Sequence, residues 1–506
     1  MDYDLLTEAD LEQLQAAGIP PDEARIQIDF LKKGVKPVRL KKPCTIGDGI
    51  VEINEQEQIE LATLHDEAAG AGRVMKFVPA SGAASRMFSQ WQSVLTNNGL
   101  VETSMTGEFE NNLRKLAFFQ DLREAVSRGG EDIEVLLREA RFDNILGYIL
   151  KPQGLNYGST PKALIKFHAY EDGNRTALEE HLAEAALYTA DARKTCRIHF
   201  TVSEEHLEET EEFLKKIKDK YEKAFGVTFQ IGLSTQHPSS QTVALEGKNL
   251  YRNQSGRLVL RPGGHGALLE NLNDLGGDII FIKNIDNVVS DRLKPITVFF
   301  KKVLSGCLLS LQEKIFGHLR TLIEKDELDD AVREAKIFCQ NKLHIVLPPE
   351  FDTSSSSQQR NVIINRLNRP LRVCGMVKNE GEPGGGPFWI DGEEEQPLQI
   401  IEAHQIDTDK KDQRDAWAAA CHFNPVDIVC GVRDYRARSF DLQQFADLSA
   451  VCLSEKIEAG RIIKILEHPG LWNGAMSRWN TVFVDVPIET FNPVKTVNDL
   501  LRPQHL

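Results

Sequence analysis

The sequence predicts an α/β protein built on a largely parallel central sheet, because apolar runs of strand length alternate with amphipathic runs of helix length. The clearest example is the strand pattern of residues 194–201, the charged helix pattern of 204–225 and the next strand pattern at 228–234. Strands connected through such helices lie parallel and form right-handed crossovers. Ligands bind these sheets beyond the carboxyl ends of the strands, so the residues that follow the strands are the candidate functional groups.

Composition and charge narrow the class of protein. The 506 residues are 41% hydrophobic and 27% charged, as in ordinary soluble globular proteins, and the formal net charge is −15. This acidic balance argues against a nucleic-acid-binding surface but leaves room for a local basic pocket that holds a small phosphorylated ligand. No run approaches the roughly 18 apolar residues of a membrane span. The start of the chain lacks a signal-peptide pattern and the eight cysteines form no C-x-x-C pair, so we expect reduced thiols, a cytoplasmic location and no membrane partner.

The first 72 residues predict a helical extension that carries no recognisable chemistry. Residues 7–17 have helical spacing, the Gly-Ile-Pro-Pro break at 18–21 ends this helix, and a second helix continues to Lys33. An appended helical cap is the interpretation that these patterns favour.

A loop of small residues follows the apolar run Val74–Pro79. Its sequence is Ala80-Ser81-Gly82-Ala83-Ala84-Ser85-Arg86. Small residues let a backbone approach a ligand closely, and amide groups at a strand-to-helix turn can hold phosphate oxygens. An arginine adds a fixed charge that binds a phosphate through two donors. Taken alone, the pattern fits a phosphate loop and a plain structural turn equally well.

Two further passages carry candidate groups. Residues 261–268 contain a glycine run that opens a helix, and His265 lies between glycines, where little side chain surrounds it. The apolar run 278–285 ends in Asp286, at a strand tip suited to a hard cation such as Mg²⁺. A capping or solvated aspartate is the alternative for Asp286. Between the loop and these passages, Thr176 is the expected N-cap of a helix, with Glu179 as its capping-box partner.

The second half continues the alternation. Residues 295–340 predict one or two helices, as an insertion or a bridge, and no sharp change of composition marks a linker. We therefore expect this half to complete the same sheet or to pack tightly on it. Strands are predicted at 343–347, 371–377, 398–403, 427–430 and 481–485.

These stretches, in this order, resemble the UDP-sugar pyrophosphorylase family over residues 73–501. The segment Phe491–Leu501 is very close to the family pattern F-x-P-V-K-T-x-x-D-L-L and is the most specific match. In the first part of the chain, the loop 80–87 resembles A-G-G-x-G-T-R, Pro161-Lys162 resembles P-K, and residues 236–238 resemble the glutamine segment that contacts the base. Further on, residues 262–266 resemble P-P-G-H-G, 284–287 resemble N-x-D-N, and 399–402 resemble V-V-E.

The sequence also departs from the family. Ser81 and Ala84 replace loop glycines, so we expect the Ala84 methyl to crowd a bound triphosphate or shift the loop. Cys421-His422-Phe423 lacks the asparagine of the family's N-H-F, and Asn473 and Asn480 are the possible replacements. The turn at 382–386 resembles E-P-V-G only loosely.

The resemblance implies a GT-A-like (Rossmann-like) nucleotidyltransferase fold with a mixed central sheet, a helical N-terminal cap and helical insertions. It implies four regions: a helical extension (1–72), a nucleotide-binding half (73–300, with a helical insertion at 88–158), a helical insertion or bridge (301–345) and a sugar-phosphate-binding half (346–506).

The activity implied is attack of a sugar 1-phosphate on a nucleoside triphosphate, with UTP as the expected nucleotide and Mg²⁺ as the cofactor. Arg86, Lys162 and Lys495 would neutralise the phosphates, and Asp286 would hold the metal. The implied substrate-binding residues are Ala80, Ser81, Gly82, Ser85, Gln236, Gly264, His265, Asn287 and Glu402. Two alternatives stay open: a non-catalytic nucleotide-sugar-binding or regulatory protein on the same fold, and a different GT-A transferase.

Overall fold

The computed structural model describes residues 5–82, 84–96, 106–324, 329–381, 384–391, 396–458 and 460–506. The helices are α1 (Glu8–Ala16), α2 (Pro21–Lys33), α3 (Glu55–Gly70), α4 (Ser89–Thr96), α5 (Thr106–Lys115), α6 (Phe119–Arg128), α7 (Ile133–Arg138), α8 (Phe142–Leu150), α9 (Ala177–Ala186), α10 (Leu207–Phe225), α11 (Leu268–Asp274), α12 (Lys294–Glu324), α13 (Asp329–Lys342), α14 (Ser356–Leu367) and α15 (Lys411–Ala418). The strands are β1 (Leu40–Pro43), β2 (Thr45–Ile46), β3 (Gly49–Val51), β4 (Val74–Pro79), β5 (Lys166–His168), β6 (Arg175–Thr176), β7 (Thr195–Thr201), β8 (Thr228–Ser234), β9 (Ala244–Glu246), β10 (Asn249–Leu250), β11 (Ile279–Lys283), β12 (Leu371–Lys378), β13 (Gly386–Ile390), β14 (Leu398–Ile401), β15 (His422–Phe423), β16 (Asp427–Gly431), β17 (Cys452–Glu458), β18 (Arg461–Glu467) and β19 (Asn480–Asp485).

The central sheet is mixed, which confirms the predicted α/β fold class. Its strand order is β2-β3-β19-β12-β16-β11-β4-β7-β8, and the short β15 adds to β12. All of these neighbours pair in parallel except β16 with β11 and β12, and β15 with β12. The carboxyl ends of β19, β12, β11, β4, β7 and β8 therefore lie along one edge.

The strand order reverses beside β4. The chain adds β7 and β8 on one side of β4 and later places β11 on the other side. Open α/β sheets bind ligands in the crevice beyond such a switch point. The loop that begins at Ala80 and the turn that holds Asp286 both follow the strands that flank this crevice.

Helices cover both faces of the sheet. On one face, α12 and α3 pack over Val74 and Phe281. Gly306 lets these two helices approach, because a Cβ at this position would lie 1.9 Å from the carbonyl oxygen of Leu61. The opposite face is covered in part by α11, and no described helix is both long and apolar enough to cross a bilayer.

Several predicted elements are confirmed. The strands at 195–201 and 228–234 and the helix between them match their patterns closely. The capping box of α9 forms as expected, since Thr176 Oγ1 accepts from the Glu179 amide at 3.2 Å and the Glu179 carboxylate accepts from the Thr176 amide at 2.7 Å. All eight cysteines are free thiols, in agreement with the absence of a disulfide framework.

Other elements differ from the prediction. Residues 343–347 are not a strand; Leu343 and Ile345 are buried among α12–α14 without a sheet partner, because an apolar run specifies burial and not a hydrogen-bonded neighbour. The N-terminal region contains α1 and α2 as predicted, but it also contains β1–β3. Strand β3 pairs with β19 in the central sheet and β1 pairs with β13, so this region is more than a helical cap. A separate antiparallel sheet, β10-β9-β18-β17, was not predicted.

Candidate active site

The small-residue loop is fixed at both ends by main-chain hydrogen bonds. The Ala80 amide donates to the Thr201 carbonyl at 2.8 Å, and the Gly82 carbonyl accepts from the Lys162 amide at 3.3 Å. Ser85 and the guanidinium-bearing Arg86 are exposed in the short 3₁₀ turn that follows. The loop therefore presents polar groups and a cation at the carboxyl edge. Ser81 is half-buried, and Ala83 lies outside the described residues.

The Ala84 methyl is not exposed on this surface, so the expectation that it crowds a bound triphosphate is wrong, whereas a shift of the loop stays a prediction. Ala84 is 0% exposed and belongs to the hydrophobic core together with Met87 and Phe88. A buried methyl cannot contact a ligand above the loop. The Ala84 methyl therefore adds core packing beneath the loop.

Asp286 joins two of the predicted lysines. Its Oδ2 lies 3.1 Å from Lys162 Nζ and 3.0 Å from Lys495 Nζ. Lys162 is buried and also donates to the Val494 carbonyl at 3.0 Å, whereas the Lys495 side chain is 49% exposed. Burial alone would raise the pKa of the Asp286 carboxyl, but the ammonium groups of Lys495 and Lys162 hold it below its ordinary value.

The segment that carries Lys495 is tied to both loops of the crevice. The Val494 amide donates to the Asp286 carbonyl at 3.0 Å, and the Val497 amide donates to the Met87 carbonyl at 3.1 Å. Asp499 accepts from the Lys495 and Thr496 amides at 2.9 and 2.7 Å. These bonds orient the lysine toward Asp286, and Asp499 belongs to the D-L-L part of the C-terminal pattern.

The Asn287 side chain is engaged by the main chain. Its Oδ1 accepts from the Asn492 amide at 3.0 Å and its Nδ2 donates to the Pro425 carbonyl at 3.4 Å. Asn287 is 1% exposed. In this structure it holds the Asp286 turn against the C-terminal segment, and its predicted substrate contact is untested.

A second group of predicted residues surrounds Gly264. Gln236 Nε2 donates to the Gly264 carbonyl at 3.0 Å. Gly264 has a φ of +73°, and a Cβ there would lie 2.5 Å from the Glu467 carboxylate, so only glycine fits without displacement. The glycine therefore brings the chain close to Glu467 at the start of the turn that carries His265.

His265 is held by an aromatic stack. Its ring lies 4.2 Å from the Trp472 ring at an angle of 15°, and its Nδ1 accepts from the Leu471 amide at 3.1 Å. Burial lowers the pKa of His265, and the carboxylates of Glu402 and Glu467 oppose this shift. Trp472 Nε1 also donates to Glu402 Oε1 at 3.3 Å. Trp472 thus connects two predicted residues, a contact that no local sequence pattern indicates.

A cavity of about 470 Å³ lies beside Glu402. Aromatic and polar side chains share its wall, a combination suited to binding the faces and hydroxyls of a sugar ring. His422 within it is oriented by Asp485, whose Oδ1 lies 3.1 Å from His422 Nε2. The lining includes Asn379, Gly384, Gly386, Phe388, Glu402, His404, Trp417, His422 and Phe423; Glu382 and Pro383 of the predicted turn lie outside the described residues.

The two proposed replacements for the missing asparagine do not line this cavity. Asn473 lines a different cavity of about 1000 Å³ and donates to Gln405 Oε1 at 2.9 Å. Asn480 begins β19 at the opposite edge of the sheet and donates to the Leu367 carbonyl at 3.3 Å. The Asn480 expectation is therefore wrong, because the amino ends of the parallel strands lie at the edge of the sheet opposite the crevice.

The Asp286 site has one feature that suits a metal ion. Asp286 Oδ1 is buried and has no hydrogen-bond partner among the described residues. Those residues contain no group of three His, Cys, Asp or Glu side chains placed to hold a metal. A cation bound here would therefore take one protein carboxylate and complete its shell from phosphate oxygens and water, which is the usual pattern for Mg²⁺.

The sequence profile of a family described as "Domain of unknown function (DUF4301)" matches residues 7–506. No curated protein matches the sequence. The UDP-glucose phosphorylase from Trypanosoma brucei is 14% identical, with 97% of this chain and 77% of that chain covered and a TM-score of 0.46.

Two other solved structures show a similar degree of likeness. A UDP-N-acetylglucosamine pyrophosphorylase from Trypanosoma brucei is 13% identical, with 98% and 79% covered and a TM-score of 0.47. A variant UDP-glucose pyrophosphorylase from Leishmania major in complex with UDP-glucose is 13% identical, with 98% and 79% covered and a TM-score of 0.45.

Proposed function

This chain belongs to the DUF4301 family, and we propose that it is a nucleotidyltransferase that joins a sugar 1-phosphate to a nucleoside triphosphate. UTP is the expected nucleotide, the fold is of the GT-A-like type, and pyrophosphate is the second product. The bond from the sugar-phosphate oxygen to the α-phosphorus forms as the bond to the departing pyrophosphate breaks.

The observation that carries the proposal is the ion triad of Lys162, Asp286 and Lys495. Two lysines that lie 333 positions apart in the sequence meet one buried carboxylate, with Nζ–Oδ2 distances of 3.1 and 3.0 Å. The triad follows β11 at the switch point, beside the loop that ends in Arg86. Three cations and one carboxylate at this crevice suit a polyanionic substrate with a divalent cation.

Phosphoryl transfer of this kind requires little covalent chemistry from the protein. The sugar phosphate is already an anion and needs no general base, so catalysis depends on alignment and on neutralisation of charge. In the proposed reaction, Arg86 binds the triphosphate and the leaving pyrophosphate, Lys162 lies near the α-phosphate, and Lys495 holds the sugar phosphate. Asp286 would hold a Mg²⁺ that, when bound, neutralises phosphate oxygens.

The remaining residues support a division between base and sugar. The Gln236–Gly264 hydrogen bond orients two groups proposed to meet the base. His265, stacked on Trp472, continues from there toward Glu402 and the cavity of about 470 Å³. In the proposed complex, the phosphates of the ligand bind at the ion triad, and its base and sugar bind at these groups.

A pyrophosphate-exchange assay with labelled pyrophosphate, Mg²⁺ and a panel of nucleotide sugars tests the proposal. We expect exchange with at least one UDP-sugar, and we expect Lys495→Ala to lower it about a hundredfold, by analogy with the loss of one charge-stabilising donor. The matched control is Lys166→Ala, because Lys166 pairs with Asp121 of α6 instead of with Asp286. Unchanged exchange in Lys495→Ala, or an equal loss in Lys166→Ala, would contradict the assigned role.

The second candidate is a non-catalytic protein that binds a nucleotide sugar. The observation that favours it is the ion triad, in which both ammonium groups already pair with the Asp286 carboxylate. A nucleotide sugar would then raise the melting temperature without any exchange. If GTP or CTP raised the melting temperature more than UTP, a different GT-A transferase would be the better conclusion.

A further inference from the structure

A buried charge cluster lies beneath the crevice, on the face of the sheet covered by α9 and α12. Glu184 of α9 accepts from Lys76 of β4 at 2.9 Å and from Lys283 of β11 at 2.7 Å. Lys301 of α12 lies 3.9 Å from the same carboxylate and binds Asp427 of β16. All five side chains are at most 2% exposed. This cluster joins α9 to the strand that ends just before Asp286.

One side chain of α9 reaches the turn itself. His181 is 0% exposed, and its Nε2 lies 3.2 Å from the carbonyl oxygen of Ile285. Burial and the nearby lysines hold the pKa of His181 well below its ordinary value, so the ring is neutral. A carbonyl only accepts, so Nε2 carries the proton and donates it.

The hydrogen bond from His181 restrains the peptide group that precedes Asp286. The Ile285 amide is held by the Pro79 carbonyl at 3.2 Å, and the Asp286 carbonyl is held by the Val494 amide at 3.0 Å. The Ile285 carbonyl is thus the point at which α9 restrains the turn. Loss of this restraint would let the 285–286 peptide rotate and would displace the carboxylate.

We propose that His181 is a positioning residue, which orients the Asp286 carboxylate for Mg²⁺ and for the two lysines through its hydrogen bond to Ile285. The effect of His181 on Mg²⁺ and on the reaction rests on the proposed nucleotidyl transfer. The effect of His181 on the conformation of the Asp286 turn is independent of that function. A displacement of the reacting groups by about 1 Å can cost on the order of a hundredfold in rate.

The chain contains a matched control for this test. His65 is also 0% exposed, its Nε2 lies 2.8 Å from the Tyr188 carbonyl, and its Nδ1, like that of His181, is buried without a partner. His65 bonds Tyr188, which lies beyond the end of α9, and its ring packs against Tyr188 and Phe281. His65→Leu and His181→Leu therefore remove the same kind of bond from equally buried sites.

Two measurements on the full chain decide the proposal. Hydrogen–deuterium exchange of the peptide 492–497 reports how well the Val494 amide is protected by its bond to the Asp286 carbonyl. The Mg²⁺ concentration for half-maximal pyrophosphate exchange reports how well the Asp286 carboxylate is placed to bind the metal. In His181→Leu we expect about tenfold faster deuteration and about a tenfold higher Mg²⁺ requirement. His181→Gln, which restores an N–H donor, should return both values toward wild type.

The outcomes separate positioning from general stability. If His65→Leu lowers the melting temperature as much as His181→Leu but leaves both readouts unchanged, positioning is supported. Equal changes in the two leucine variants, or no change at 492–497 in His181→Leu, overturn it. If the wild-type chain shows no exchange activity, the proposed function fails, and the deuteration of 492–497 alone decides whether His181 holds the turn.

Discussion

Replacement of Lys76 by methionine is expected to remove a pH dependence of stability without unfolding the protein. Lys76 is completely buried and faces Glu184 and His181 on α9, Lys283 on β11 and Lys301 on α12. Methionine has a similar volume and flexibility, so packing is retained. The variant keeps two lysines, Lys283 and Lys301, against two carboxylates, Glu184 and Asp427, which leaves the buried cluster balanced.

The direction of the effect follows from the pKa of Lys76. Burial lowers this pKa from 10.5 to about 7, in spite of the attraction from Glu184. Between these values the native lysine is neutral and the unfolded one is charged, so unfolding takes up a proton. The wild-type free energy of unfolding therefore rises with pH in this window, by about 1.4 kcal/mol per pH unit from this group. At pH values below the native pKa, Lys76 is charged in both the native and the unfolded state. The wild-type free energy of unfolding is then lowered by the full cost of burying this charge.

Chemical or thermal unfolding of both proteins at several pH values tests this reasoning. At pH 7 we expect Lys76→Met to be within about 1.5 kcal/mol of wild type or more stable. Between pH 7.5 and 9 wild type should gain about 2 kcal/mol relative to the variant. Lys215→Met, on the exposed face of α10, is the control and should show no such change. The same pH dependence in wild type and Lys76→Met would refute the conclusion that native Lys76 is neutral above pH 7. A loss of stability above about 3 kcal/mol in Lys76→Met at pH 7 would also refute it.

Two other substitutions test the walls of the crevice. Gly264→Ala should lower stability by about 1–3 kcal/mol and weaken the thermal shift produced by UTP, because its Cβ meets Glu467 at 2.5 Å. Gly256→Ala, which has a similar φ of +80° but no atom within 4 Å of the added Cβ, separates backbone strain from the collision. Ala84→Gly should cost about 1 kcal/mol in a melting experiment and leave UTP affinity unchanged. A clear gain in affinity for Ala84→Gly would mean that the methyl does reach the ligand.

Local patterns predicted the parts of the fold that local physics determines. The strands at 195–201 and 228–234 are continuous in pattern, and the Thr176–Glu179 capping box needs only neighbours three residues apart. The strand that leads to Asp286 is buried throughout and apolar up to Lys283, because both of its faces are covered by helices. Such signals require no knowledge of the rest of the chain.

Elements whose partners lie far away were missed. Strand β3 is only three residues long and exists because it pairs with β19, more than 400 residues later in the chain. Strand β9 likewise depends on β18. Conversely, residues 343–347 have a strand-like composition but lie where no sheet edge is available. Hydrogen-bond partners across such distances are decided by topology and leave no local periodicity.

The sequence by itself determined which residue types stand at the ends of the central strands, and it predicted the order of the motifs from the loop at Ala80 to Lys495. Only the tertiary structure decided that Asp286 Oδ2 lies about equally far from Lys162 and Lys495, at 3.1 and 3.0 Å. It also decided that Ala84 packs into the core. The physical reason is that residue type and spacing set chemical capacity and local conformation, whereas distances between remote side chains depend on how the whole sheet assembles.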